Sequence, residues 1–202
     1  YSQSEVDLCH ILAAQEWNHI VYVSSAVIYG EKNRLFHMPE EPVNPFNGYT
    51  KMKIECENIF ATAAATCLRF SNLYGPGMSG HSVIADIILQ IPGEGSLYVK
   101  NPLTVRDFLW IQDGANCITA ACSRKVGGTY NVGSGESIAV GNLARLALQL
   151  SGEKDRNITT TRKSNTPSYL NLDISKTQSV FSWSPKTNLS TGLSNLIEEK
   201  KW

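Results

Sequence analysis

Tyr49-Thr50-Lys51-Met52-Lys53, at the head of residues 45–66, is the stretch around which the chain is organised. Pro45 and Gly48 punctuate a loop, and Asn47 is placed to cap a helix by accepting a hydrogen bond from a first-turn N–H. Met52, Cys56, Ile59, Phe60 and Ala63 then recur at helical spacing, which predicts a helix with one buried face running to about Thr66. Tyr49 and Lys53 are four apart, so they share one side of that helix, a turn from each other. An ammonium beside a phenol favours phenolate and lowers a pKa that starts near ~10, which makes the pair a candidate proton-transfer group. The same two residues also fit a surface tyrosine and a solvated lysine, so their surroundings decide.

Upstream, Ile20-Val21-Tyr22-Val23 is a β-branched run that fits a buried strand. It ends in Ser24-Ser25-Ala26-Val27-Ile28-Tyr29-Gly30. Ligands of open α/β sheets sit at the carboxyl ends of strands, so two hydroxyls are well placed there, although serines are also ordinary turn residues. Residues 4–16 read as a helix with Ser4 as cap and Leu8, Cys9, Leu12 and Ala13 as its apolar stripe. Downstream, Cys67-Leu68-Arg69-Phe70 is the next strand, leading into Ser71-Asn72-Leu73-Tyr74.

Gly75-Pro76-Gly77-Met78-Ser79-Gly80 is a literal GxGxxG between that strand and a helix expected at about residues 82–90. Two features argue against a phosphate cradle. The following strand, Leu97-Tyr98-Val99-Lys100, ends on a lysine where ribose recognition needs a carboxylate, and Pro76 removes a backbone donor. Further on, residues 108–111 read as extended and Asp113 as the cap of a helix to about Ser123. Gly127-Gly128 turns into a strand at 129–132, and Gly133-Ser134-Gly135 reads as a turn. Helices are expected at about 140–150 and 191–201, while residues 152–171 are polar and carry no clear pattern.

The chain has 202 residues and a formal net charge of zero. That suits one domain or one large lobe, and gives no reason to expect nucleic acid or an anionic membrane as partner. No apolar run is long enough to span a bilayer, and no signal-peptide pattern is seen. The five cysteines have no CxxC spacing and mostly fall in apolar segments, so they read as buried free thiols in a reducing, cytoplasmic setting. No metal site is expected. Asn157-Ile158-Thr159 and Asn188-Leu189-Ser190 match the glycosylation pattern by chance on this reading.

Together these segments resemble the extended short-chain dehydrogenase/reductase superfamily, in its NAD-dependent nucleotide-sugar epimerase/dehydratase branch. Residues 24–30 look like its Ser-Ser-x-x-x-Tyr-Gly strand end, and Tyr49 and Lys53 like its Tyr-x-x-x-Lys. Residues 68–76 look like its Leu-Arg-x-x-Asn-x-x-Gly-Pro, and residues 106–113 like its Arg-Asp-Phe/Tyr motif. Asn131 to Gly135, Asp173 to Lys176, Trp183 and Pro185 resemble its closing signatures. Five motifs in the family's order are far more specific than any one alone.

The resemblance implies an α/β fold: a Rossmann-like parallel sheet with a smaller α/β substrate-binding lobe. Residues 1–75 would form the C-terminal portion of the NAD-binding domain. Residues 76–202 would be mainly the lobe, with returning segments completing the sheet. Tyr49 would be the acid/base, Lys53 would hold the nicotinamide ribose and tune Tyr49, and Ser25 would hydrogen-bond the reacting sugar oxygen. Ser24 and Phe70 would lie against the cofactor, NAD with NADP not excluded. Val27, Asn72 and Arg106 would bind the nucleotide-diphosphate sugar, Arg106 because its planar fork suits phosphate oxygens.

Where 4,6-dehydratases carry an Asp-Glu pair, this chain has Ala26 and Val27, whose side chains cannot exchange protons. That points to epimerisation or ketoreduction. A homodimer through the 4–16 and 49–66 helices is implied as well. The family's opening Gly-x-x-Gly-x-x-Gly turn is not found before Tyr1, so by this comparison about 80–100 residues of a Rossmann domain are expected to be missing. The alternative is then a non-catalytic binding or regulatory module of the same fold. Residues 166–169 lack a phosphate-binding arginine that many relatives carry, a place Arg162 could fill.

Overall fold

Ile20–Ser25 forms the first strand, β1, in the computed structural model, which describes residues 3–30, 36–61, 65–160 and 167–199. It pairs in parallel with β2 (Ala65–Phe70), and β2 pairs in parallel with β6 (Gly128–Val132), giving the order β1-β2-β6. Both faces of β2 are covered, as its continuous burial requires, whereas residues 20–23 of β1 are a strand but not the buried one expected: they are only half-buried and Val23 is 42% exposed. Strand alternation sends Ile20, Tyr22, Ala65 and Cys67 to one face. There they pack with Val6 and Cys9 of α1 (Gln3–Ala13) and Met52, Cys56 and Phe60 of α2 (Gly48–Ala61). Val21, Leu68 and Phe70 face the other side. Their partners are Cys117 and Ala121 of α4 (Ile111–Arg124) and Phe181 of α6 (Ser175–Phe181).

The rest of the chain builds a lobe with its own core. Strand β5 (Val105–Trp110) is its axis. It pairs in parallel with β3 (Asn72–Tyr74) and β9 (Tyr169–Leu170), and antiparallel with β7 (Ser137–Ala139). Strands β4 (Leu97–Val99) and β8 (Ile158–Thr160) form a separate parallel pair. Helices α3 (Val83–Ile88), α5 (Val140–Leu150) and α7 (Leu189–Glu199) pack Ile84, Ile87, Leu143, Leu148, Leu193 and Leu196 against them.

The α/β class with parallel sheets is as expected, but several boundaries differ. Helix α2 ends by Ala61 and β2 starts at Ala65, because Ala65 and Thr66 are already in register with Ile20 and Val21; Thr66 also donates its hydroxyl to Val126 O at 2.7 Å. Ala63 lies outside the described residues. Ser4 is inside α1 and does not cap it, and Leu8 faces outward at 53% exposure. Asp113 is no cap either. Helix α4 starts before it at Ile111, and its buried carboxylate accepts the N–H groups of Lys186 and Thr187. Helix α7 starts at Leu189, earlier than expected, because Asn188 Oδ1 accepts Thr191 N–H at 2.8 Å. The GxGxxG stretch is a lobe turn: Gly75, at φ 145°, has no room for a Cβ beside Ile111, and Ser82 already caps the short α3. All five cysteines are free, four of them buried and Cys122 exposed.

Candidate functional site

The carboxyl end of β1 meets the start of α2. Ser24 is buried, and its Oγ has no hydrogen-bond partner among the described residues. Ser25 caps the 3-10 turn Ala26–Tyr29, its Oγ accepting Val27 N–H at 3.4 Å, and Gly30, at φ 74°, closes the turn. Ala26 is fully buried and Val27 packs against the Leu170, Leu172 and Ile174 cluster, so both positions are apolar in setting as well as in type.

Asn47 caps α2 through its Oδ1, which accepts Thr50 N–H at 2.9 Å, and this sets Tyr49 in the first turn. The Lys53 ammonium lies 5.8 Å from the Tyr49 ring centroid, so the two side chains converge. Lys53 Nζ donates to Glu5 Oε1 at 2.7 Å and to Val23 O at 3.2 Å, and sits 5.0 Å over the Tyr22 ring. The hydrogen bond from Lys53, helped by one from Tyr22, holds the Glu5 carboxyl below the usual carboxylate range despite partial burial.

Behind this corner runs a buried polar network. Arg69 binds Glu57 with Nε at 3.0 Å from Oε1 and Nη2 at 2.6 Å from Oε2, and its Nη1 donates to Tyr29 Oη and Pro39 O, both at 2.9 Å. Tyr29 donates to Asn131 Oδ1 at 2.6 Å and stacks on His37, with ring centroids 4.7 Å apart. The network ties α2, the turn after β1, β2 and β6 into one unit.

Asn72, at the start of β3, and Arg106, near the start of β5, both line a cavity of about 540 Å³, together with His81, Gln90, Tyr98 and Lys100. Asn72 Nδ2 donates to Asp107 O at 3.1 Å. Arg106 Nη1 donates to Val105 O at 2.9 Å and Ser168 O at 3.0 Å, which fixes its guanidinium against β9. The neighbouring Asp107 carboxylate is buried and accepts Ser134 N–H at 2.8 Å, Ser134 Oγ–H at 2.8 Å and Gly135 N–H at 3.1 Å. Burial pushes its pKa up, partly offset by these donors.

The structure thus brings Ser24, Ser25, Tyr49 and Lys53 to the β1–α2 corner and Asn72 and Arg106 into one cavity. The Phe70 side chain lies elsewhere: it is 5% exposed and packed in the core against α4. Arg162 falls outside the described residues. Glu5 escaped the sequence reading because it is 48 positions from Lys53 and belongs to no motif. Asp107 was seen only as part of a motif; its three donors come from a loop 27 or 28 positions away. Among the described residues no cluster of His, Cys, Asp or Glu could hold a metal ion, and no helix is long and apolar enough to cross a membrane.

Residues 2–133 match the model of the NAD dependent epimerase/dehydratase family. A UDP-glucose 4-epimerase of Halalkalibacterium halodurans is 27% identical, covering 92% of this chain and 65% of that protein. An uncharacterized UDP-glucose epimerase, YtcB, of Bacillus subtilis is 29% identical over 88% of this chain and 58% of its own length. The chain therefore spans about three fifths of the length of these relatives. Among solved structures, UDP-glucuronic acid 4-epimerase from Bacillus cereus in complex with UDP-glucuronic acid and NAD superposes with a TM-score of 0.83 at 21% identity. That match covers 96% of this chain and 66% of the other. The dTDP-glucose 4,6-dehydratase of Bacillus anthracis in complex with NAD gives 0.81 at 21% identity, covering 98% and 66%. With its motifs in order, a matching architecture and a family model covering well over half of it, this chain belongs to the NAD dependent epimerase/dehydratase family.

Proposed function

We propose that this chain carries the proton-transfer corner and the substrate cleft of an NAD-dependent nucleotide-sugar epimerase or ketoreductase. The observation that carries the reading is the Lys53 ammonium, 5.8 Å from the Tyr49 ring, at the strand end that presents two serines. In this reading Tyr49 takes the proton of a sugar hydroxyl, Ser25 hydrogen-bonds the same oxygen, and Lys53 stabilises the phenolate. NAD, when bound, supplies the hydride acceptor and donor. The residues present fit a ribose: among the described residues Lys53 spends two N–H groups on Glu5 and Val23, and the buried Ser24 hydroxyl has no partner. Phe70 is left with a main-chain contact at most, since its side chain is in the core.

The second half of the reading is the nucleotide-diphosphate sugar. The cavity of about 540 Å³ falls within the range of small-molecule sites, and Asn72 and Arg106 give it an amide and a fixed guanidinium suited to phosphate oxygens. Val27 flanks the strand end from the apolar cluster beneath it. Ala26 and Val27 supply no second acid or base, which favours epimerisation or ketoreduction over water loss. A homodimer through α1 and α2 is supported by Leu8 and Ile11, exposed at 53% and 60% on one side of α1, and light scattering tests it. A cytoplasmic setting is supported by the free thiols.

The test of the whole is Tyr49→Phe in the full protein. Turnover of a UDP-sugar with NAD is expected to fall about 10²- to 10⁴-fold, the usual range for a general acid–base group. Undiminished turnover removes the assigned role.

A further inference from the structure

The Lys53 ammonium rests on three groups from two elements, α1 and β1. Glu5 reaches it from α1, the Val23 carbonyl from β1, and the Tyr22 ring lies beneath it. The Glu5 oxygen that receives Lys53 also accepts the Tyr22 hydroxyl at 3.0 Å, so the carboxylate is pinned from two sides. The lysine side chain is 13% exposed and Glu5 36%, so the pair is sheltered on one side and open to solvent on the other.

We infer that Glu5 is a positioning residue for the proton-transfer corner: it seats the Lys53 ammonium and limits how much of its charge Tyr49 feels. The inference rests on the reading of Tyr49 and Lys53 given above. Its physical basis is a division of one positive charge between two acceptors. A carboxylate 2.7 Å from Nζ cancels part of the field that the ammonium projects towards the phenol ring 5.8 Å away. The other titratable groups facing the cluster are Tyr22 from β1, Cys9 from α1 and Cys56 from α2. Burial pushes the Cys9 thiol up to about 12 and drives the Tyr22 phenol upward as well, so neither brings a charge near neutral pH. Glu5 is the carboxylate that meets Lys53 among the described residues.

Glu5→Gln keeps an acceptor for Lys53 and Tyr22 and removes the negative charge. Tyr49 then feels the ammonium more fully and ionises at lower pH. The expected change is therefore a downward one in the midpoint measured below.

The experiment titrates Tyr49 directly, as the tyrosinate absorbance difference between the protein and its Tyr49→Phe variant, with and without Glu5→Gln. The pH dependence of turnover is recorded in parallel. A lower midpoint in both measurements is the expected result. A lower spectroscopic midpoint with an unmoved rate profile upholds the role of Glu5 and overturns the catalytic reading of Tyr49. An unmoved spectroscopic midpoint overturns the inference whatever the rates do. Glu5→Asp, which withdraws the carboxylate by one methylene, is expected to give a smaller shift in the same direction and serves where Glu5→Gln does not fold. A shift absent there also overturns the inference.

Discussion

Replacing Glu57 by alanine exposes how the corner is braced. The Arg69 and Glu57 side chains in this pair are 8% and 9% exposed, and the contact is two-pronged, through Nε and Nη2. Removing the carboxylate leaves the guanidinium in the protein interior with, among the described residues, only Tyr29 Oη and Pro39 O to receive its Nη1 hydrogens. Breaking a buried pair from one side costs about 3–5 kcal/mol, because the orphaned charge stays out of water. At about 2–4 °C per kcal/mol for a chain of this size, the melting temperature is expected to fall by roughly 6–20 °C. Replacing both residues by leucine removes the stranded charge with its partner, so the double variant is expected to be more stable than Glu57→Ala. The assay is thermal and urea unfolding of Glu57→Ala together with a double-mutant cycle of Glu57→Leu, Arg69→Leu and the two combined. A single-variant loss under about 1 kcal/mol, or singles that simply add, would refute the claim that the pair is buried and coupled.

Two further outcomes follow from the lobe. Arg106→Ala is expected to raise KM for a nucleotide-diphosphate sugar about 10- to 100-fold, as befits loss of a charge-assisted hydrogen bond, with a smaller effect on kcat in steady-state kinetics. Asp107 carries a pKa raised by burial, so the folded state holds its proton more tightly than the unfolded state. Its contribution to stability is therefore greatest in acid and declines as pH rises from the ordinary aspartate range through the raised folded value. Asp107→Asn is expected to flatten that part of the profile in melts taken across about pH 4 to 7.

Much of the fold was legible because it is locally encoded. The β-branched run at 20–23, the Asn47 cap and the Met52, Cys56, Phe60 stripe each state their structure within a few residues. What escaped was decided at a distance. Asp113 has the type and place of a cap, yet its carboxylate is claimed by a loop more than 70 positions later. Strands of two or three residues such as β7 and β9 exist only because β5 is there to pair with them. At the corner, Tyr49 and Lys53 could be placed together from their spacing alone. The third member, Glu5, is brought in by the packing of α1 on α2, which no local pattern announces.

The order in which the strands are visited bears on how the molecule can be divided. The polypeptide leaves β2 for the lobe, runs through β3, β4 and β5, and only then returns as β6 to fill the third place in the sheet. Asn131, on that returning strand, receives the Tyr29 hydroxyl and donates its amide to His37 O at 2.8 Å. A cut near residue 75 would therefore not release two self-sufficient pieces. The amino-terminal piece would keep β1 and β2 but lose β6 from the flank of β2, and Tyr29 would lose an acceptor. Severing the backbone there should yield fragments that reassemble on mixing rather than fold alone.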